Sequence, residues 1–425
     1  MLQEKNIHDT LFEQLLQQNS RCADEKRVLI DNYKSMGFPS KALEKWKYTD
    51  LSDVFSKAYQ LPILPNISEE EISALLPVSS GIQIVFVNGI FAPKLSKISY
   101  QGISIESLKD SCRREACGFN ATFNATKISE HGKFEMLNTI FANEGVIVRI
   151  ARNIKVTEPI TVLFLQTGSE QIFTQTRNII VCDANAAVAF TAFHCNTGKS
   201  KSTANIATEI LVKENANVTY TQIYNQSPEN TDVHAIEVKQ DAGSIFTGNS
   251  FLVSGGIIRN NIRISHAGEH CETILNGLYL PTQTEQHDSF VQVKHMHPEC
   301  TTNELYKGVA SHTAVGTFVG NIYVAKDAQK TVARQSNRNI LLSNDATIHS
   351  KPQLEIWADD VSCNHGSSIG QLSADQLFYC QSRVISRDQA AILLMHAFVS
   401  EVVEKLDNDE LKAYIYQLIE SKERF

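Results

Sequence analysis

The 425-residue chain is short of several things, and each shortage excludes something. Its nine cysteines (Cys22, Cys112, Cys117, Cys182, Cys195, Cys271, Cys300, Cys363 and Cys380) include no CxxC pair. An odd, dispersed set argues for reduced thiols rather than a disulfide frame, most of them small buried residues. Positive charge is in deficit: 39 Lys and Arg face 47 Asp and Glu, for a net charge of −8. That removes any general attraction to nucleic acid, whose backbone calls for clustered cations. No apolar run approaches the ~20 residues of a membrane-spanning helix. The opening MLQEKNIHDT lacks the apolar stretch of a signal peptide. The expectation is a cytoplasmic protein that needs no membrane, so the NAT acceptors at Asn120 and Asn124 carry no weight. Asn196-Thr-Gly-Lys-Ser200 ends like a phosphate loop, but Phe193 stands where that loop needs glycine, which excludes nucleotide hydrolysis by this chain.

What is present is enough for a sizeable core, since 42% of residues are hydrophobic. The first third reads as helical and mixed. Leu11, Phe12, Leu15 and Leu16 recur at helical spacing behind Asp9-Thr10, a plausible cap. Val28, Leu29 and Tyr33 form a second apolar set, stopped by Gly37-Phe38-Pro39. Residues 41–51 (KALEKWKYTDL) read as a surface helix docking an aromatic face. Residues 61–78 read as a connector with a short helix. IQIVFVNGIF predicts a hairpin turning at Asn88-Gly89. FEMLNTIFANEG predicts an amphipathic helix with Gly145 as its C-cap.

From Val146 the texture changes to short β-rich runs separated by a recurring turn phrase: DANA at 183, ENAN at 214, QDAG at 240, SHAGE at 265. Its alanines, Ala186, Ala216, Ala242 and Ala267, lie 30, 26 and 25 residues apart. Degenerate repetition at that period is the mark of a solenoid. A β-sandwich would want a strand every 8–12 residues instead. The expected fold is mainly β, a parallel β-solenoid over residues 146–384, with a helical and mixed part at 1–145 and a helical part at 385–425. In the last part Ser386 to Gln389 matches a capping box, followed by Ile392, Leu393, Phe398, Val399, Val402, Val403 and Leu406 on a broad apolar face. A final helix starts at Asp407-Asn408 and carries Leu411, Ile415, Leu418 and Ile419.

The densest chemistry lies between Ser350 and Arg383. Cys363 and His365 stand two apart, so on a strand they share a face. The carboxylates of Asp359 and Asp360 precede them. Leu354, Ile356, Leu377, Phe378 and Tyr379 read as buried faces around the pair. Thiolate and imidazole suit iron, zinc and copper, and two lone ligands would need others from a partner. On chemistry alone a buried thiol beside a hydrogen-bonded imidazole explains the pair as well. Two weaker groups are His295-x-His297-x-x-Cys300, where alternate positions could share a metal, and His266, His270 and Cys271. Cys112 and Cys117 read as free thiols before a redox pair.

These residues carry a resemblance. KPQLEIWADDVSCNHGSSIGQLSADQLFYCQSR is similar to the C-terminal signature of the SufB/SufD family of the SUF iron–sulfur cluster assembly system, in its SufD form. EKWKYTDL, FVNGIF, FEMLNTIF, VKHMHPECTTNELYKGV and AQKTVARQSNRNILLS agree in order along nearly the whole chain. The resemblance implies a right-handed parallel β-helix between helical ends. It implies a non-catalytic scaffold in complex with a SufB-like paralogue and a SufC-like ATPase. It implies a nascent-cluster site at the SufB-like interface, with His365 as a transient ligand for iron or a cluster and Cys363 beside it. The ATPase would dock on the C-terminal helices, where Ile392, Leu393, Phe398 and Val402 are the candidate residues. No cofactor would be bound tightly by the isolated chain. The open solenoid edge leaves a homodimer available when the chain is alone. Two departures stand out: Val384 follows Arg383 where the family usually has glycine, and Ser350 replaces a common threonine. The reading from a different class is a β-helix carbohydrate-active enzyme, for which Asp359-Asp360 is thin support.

Overall fold

Hydrogen-bonded neighbours in this molecule lie one full coil apart in sequence. Thr203 pairs with Thr231, and Thr231 with Ile257, in parallel register along ten-residue strands. The computed structural model describes residues 8–18, 26–78, 81–114, 125–199 and 201–422. Each coil gives one strand to each of two facing sheets. One sheet runs from Ile160–Gln166 through Ala187–Asn196 and on to Val332–Leu341 and Ser362–Gly370. The other runs from Val146–Ile150 through Phe173–Cys182 and on to Val315–Val324 and Thr347–Ile356. The result is a parallel β-solenoid of about eight coils. Cys22, Cys117, Asn120 and Asn124 lie outside the described residues, and with Cys117 the Cys112 pairing.

The repeat is set by backbone conformation more than by alanine. One residue per coil takes positive φ at the same corner: Asn185 (59°), Asn215 (56°), Gly243 (66°), His270 (57°), Glu299 (58°) and Lys330 (58°). The next residue is small or compact and buried: Ala186, Ala216, Ser244, Cys271, Cys300 and Thr331. Ala242 and Ala267 therefore fall outside the column that their spacing suggested. Asn, Asp and Gly tolerate this left-handed corner, which explains why they recur in the turn phrase.

Central strands such as Thr203–Val212 are buried at every position. Alternation is lost because both outer faces of the solenoid are covered. The C-terminal helices Arg387–Val403 and Asp409–Ser421 pack Met395, Val399, Val402, Ile415 and Ile419 against Phe193, Ile223, Phe251 and Leu278 of the first sheet. The N-terminal helices Thr10–Gln18 and Arg27–Ser35 pack with Lys133–Phe141, which lies on the second sheet. That last helix is buried along its whole length, and Asn138 donates to Thr176 O (3.1 Å) and Asn205 O (3.0 Å). Between the sheets a ladder of rings, Phe86–Phe164–His194–Tyr224, stacks at 5.1, 4.8 and 4.0 Å between centroids.

Most predicted elements stand. Asp9 caps the first helix through Phe12 N–H (3.1 Å). The Asn88-Gly89 hairpin forms with both residues at positive φ. Ser68 and Glu71 cap the short helix of the connector, and Ser386 and Gln389 cap the long one. Three details differ. Residues 41–51 make only one 3₁₀ turn, Glu44–Trp46, because Trp46 is drawn under the Arg259 guanidinium (4.7 Å) on the solenoid wall. Val28 faces solvent, and Ile30 takes the inward place beside Tyr33. Gly145 is not a helix cap; it lies three residues past Ala142, where any Cβ would collide with Arg177 O of the next strand.

Candidate functional site

The two ends of the solenoid are finished differently. At the start Ile103–Ser107 lies antiparallel on Val146–Ile150, and Ile90–Phe91 folds back on Gln83–Val87. These antiparallel strands blunt the edge. At the other end Thr347–Ile356 pairs only with Val315–Val324, and Ser362–Gly370 only with Val332–Leu341. Each terminal strand thus presents one row of backbone groups with no strand beyond it among the described residues. Ser362–Gly370 is exposed or half-buried throughout.

Cys363 and His365 stand on that last strand, in register with Ala333 and Gln335. Both partners are buried, so the pair belongs to the interior face of the solenoid at its open mouth. Cys363 is half-buried against Ala333, Ala358 and Leu354, and burial pushes its thiol pKa up. His365 is exposed, and no further coil among the described residues covers it. Leu354 is half-buried, while Ile356, Phe378 and Tyr379 are exposed, as is Trp357 at 68%. Sequence reasoning took Leu354, Ile356, Leu377, Phe378 and Tyr379 as buried; Leu377, like Leu354, is half-buried, and among the described residues no further layer covers the other three.

Beneath His365 runs a polar column that the sequence reading missed. Gln335 donates to Glu304 Oε2 at 2.7 Å one coil further in. Both are buried, and burial raises the Glu304 carboxyl to about 7. Alongside, Ser350 Oγ bonds Asn337 Oδ1 (2.6 Å) and Ser367 Oγ (2.7 Å). At the open mouth the interior therefore has a polar column of Glu, Gln, Asn and Ser beside the aliphatic group that holds Cys363. The available signal was alternation: Ala333, Gln335, Asn337 and Asn339 fall on every second residue of one strand.

Other candidate residues are placed as follows. Asp359 accepts from Gln329 Nε2 (2.8 Å) at an exposed turn, and the neighbouring Asp360 is exposed as well. Gly366-Ser-Ser-Ile-Gly370 spells GxSxG, which the sequence reading passed over. A nucleophile elbow needs a strand-to-helix turn at the serine, whereas Ser368 lies inside a regular strand. His297 points to solvent, because its strand ends at His295 and alternation stops there. His270 is exposed at its positive-φ corner, with Nδ1 3.2 Å from the Glu299 carboxylate. On the long C-terminal helix Leu393 is exposed and Ile392 half-buried. Phe398 is half-buried under Lys307 Nζ (4.2 Å from the ring centre). Val402, expected on a partner-facing stripe, is instead fully buried where the helix docks on the first sheet. Among the described residues no helix is long and apolar enough to cross a membrane.

The molecule is a two-sheeted parallel solenoid, blunted by antiparallel strands at one end and open at the other, with a thiol and an imidazole at the open mouth. Residues 164–398 match the family model "SUF system FeS cluster assembly, SufBD core domain", and residues 8–162 match "SufBD protein N-terminal region". The chain belongs to the SufBD family of iron–sulfur cluster assembly proteins. It is 28% identical over 416 residues to an iron–sulfur cluster assembly SufBD family protein of Synechocystis, covering 95% of this chain and 91% of the relative. It is 25% identical over 387 residues to the iron–sulfur cluster assembly protein SufD of Escherichia coli, covering 89% and 88%. The SufD of Bacillus subtilis is 24% identical, with the same coverage.

Proposed function

We propose that this chain is a non-catalytic SufD-type scaffold of the cytoplasmic SUF machinery, joined to a SufB-like paralogue and a SufC-like ATPase. The single observation that carries the reading is the open terminal coil, whose unmatched backbone row and exposed apolar rim call for another solenoid. A paralogue of the same fold would continue the two sheets across the junction. His365 would then be enclosed between two solenoid mouths, free to offer an imidazole nitrogen to a nascent cluster, which is cargo here. Cys363 lies on the same face but is half-buried against Ala333 and Ala358, whereas His365 is exposed and is the more accessible ligand. Leu393, Ile392 and Phe398 are the residues of the long helix available to the ATPase, since Val402 is used for docking. No observation favours the carbohydrate-active alternative.

The test is light-scattering chromatography of the chain with its own organism's SufB-type and SufC-type proteins, followed by cluster maturation in cells. Leu393→Asp should release the ATPase and leave the paralogue bound. Deleting the whole tail is a poor substitute, because it would bare Phe193, Ile223 and Phe251. His365→Ala should leave the complex intact and lower cluster maturation at least several-fold. An intact complex with unchanged maturation would sink the role given to His365, and no complex at all would sink the scaffold reading.

A further inference from the structure

Two consecutive coils, remote in sequence from Cys363 and His365, carry a histidine and a cysteine in matching places. His266 and His295 pair across adjacent strands. Cys271 and Cys300 follow the positive-φ corner of the same two coils. The column that contains the histidines reads Cys182, Val212, Gln240, His266, His295, Val324 and Ile356. The corner column reads Ala186, Ala216, Ser244, Cys271, Cys300 and Thr331. Metal-ligating side chains thus enter two independent columns at the same two coils.

His266, His295, Cys271 and Cys300 are all buried, at 0–1% exposure. The ligand atoms of His266, His295 and Cys300 lie within 4.8 Å of one another. The two Nδ1 atoms face each other at 3.2 Å. Two nitrogens on one tetrahedral zinc, with bonds of about 2.0–2.1 Å, would stand about 3.3 Å apart. Cys271 Sγ and Cys300 Sγ both reach the carbonyl of Gly268, at 3.2 and 3.4 Å, so the second thiol borders the trio and would complete it by a side-chain adjustment.

The surroundings fix which imidazole nitrogen is free. Gln240 Nε2 donates to Ser244 O (3.1 Å) and Glu272 O (3.0 Å), which leaves Oε1 as an acceptor. Thr273 gives its one hydroxyl proton to that Oε1 (2.7 Å). Its oxygen can then only accept from His266 Nε2–H (2.8 Å). His266 is therefore the Nε2–H tautomer, with the Nδ1 lone pair aimed at His295. Thr302 Oγ1 lies 2.9 Å from His295 Nε2 and can support the same tautomer there. Outer hydrogen bonds of this kind orient metal-bound histidines.

We propose that His266, His295, Cys300 and Cys271 form a structural tetrahedral site for a zinc-class divalent cation, clamping two consecutive coils. Metal-free, neutral His295 can donate its Nδ1–H to His266 Nδ1 and accept from Thr302 Oγ1 at Nε2. Binding shifts that proton to His295 Nε2, facing Thr302 Oγ1, and releases the two thiol protons to solvent, and the imidazole Nδ1 and thiolate Sγ lone pairs form the four bonds. The site departs from the expectation that the isolated chain binds no metal tightly. It is independent of the role proposed for His365.

The full-length chain, reduced and stripped with a chelator, should bind one equivalent of zinc. With cobalt(II) it should show thiolate charge-transfer absorption and the strong visible bands of a tetrahedral ion. His266→Gln and Cys271→Ser copy the residues Gln240 and Ser244 of the preceding coil, so both variants should fold. His266→Gln and Cys300→Ser should abolish the tetrahedral spectrum, Cys271→Ser should weaken its charge-transfer band, and Thr273→Val should lower affinity about 10-fold. His365→Ala should leave stoichiometry and spectrum unchanged. Folded, reduced chain with no saturable cobalt spectrum would overturn the site. So would a spectrum that survives in His266→Gln and Cys300→Ser, or a Cys271–Cys300 disulfide in freshly purified chain.

Discussion

Val384 adopts a φ of +67° with its side chain 95% exposed. A β-branched residue there bears the steric cost of the left-handed region and gains no packing in return. Val384→Gly should raise stability by about 1 kcal/mol in denaturant unfolding, net of the added freedom of the unfolded chain. A loss instead would show that this turn is not the native one. Glu304 offers a second test at this scale. Its folded pKa is raised to about 7 from 4.5 by burial, so between those values the folded chain holds a proton that the unfolded chain releases. Stability from this group is complete below about pH 4.5 and is lost as pH rises through 7. Glu304→Gln should remove that component, narrowing the stability difference between pH 5 and pH 8 by on the order of 2–3 kcal/mol. Buried histidines such as His234, lowered to about 3, slope the other way, so the informative quantity is wild type minus variant.

Elements are attached to the solenoid by polar contacts as well as apolar ones. The helix Lys133–Phe141 is tied to the second sheet by Arg263, whose Nη1 lies 3.3 Å from Glu135 and 2.9 Å from Glu237. His131 Nε2 stands 3.5 Å from the same Glu237. Removing the guanidinium would leave two buried carboxylates without their cation. Arg263→Met should therefore cost about 3–5 kcal/mol. Hydrogen exchange should show the loss first in this helix, before the central strands; uniform loss across the solenoid would contradict the attachment. The short turn Glu44–Trp46 and Tyr48 reach the terminal coil itself. Tyr48 stacks on His349 (4.1 Å, 15°), and Lys351 pairs with Glu44. The N-terminal segment thus braces the strand next to the proposed junction.

For the whole molecule the decisive feature is that one end is finished and the other is not. A terminal coil with free backbone groups on two strands should pair with a second copy when no paralogue is present. The isolated chain should give a concentration-dependent dimer by light scattering. Ile369→Lys, on the exposed terminal strand, should return it to monomer without altering its circular dichroism. A dimer that survives this change would place self-association elsewhere.

The sequence by itself determined the repeat, the helical ends with their capping boxes, and the family motif around Cys363 and His365. These rest on local rules of periodicity, cap chemistry and turn residues, which act over a few neighbours. It also held a matching offset, His266 to His295 and Cys271 to Cys300, both 29 residues, but the reading grouped histidines along one strand instead. Only the tertiary structure decided which residues meet across coils. It set the column Glu304–Gln335–His365, turned His297 and His270 outward, and buried Val402. It also left Trp357, Phe378 and Tyr379 in solvent. The physical reason is that a side chain's neighbours in a solenoid come from about 30 residues away, and the coil that ends the stack has none on one side.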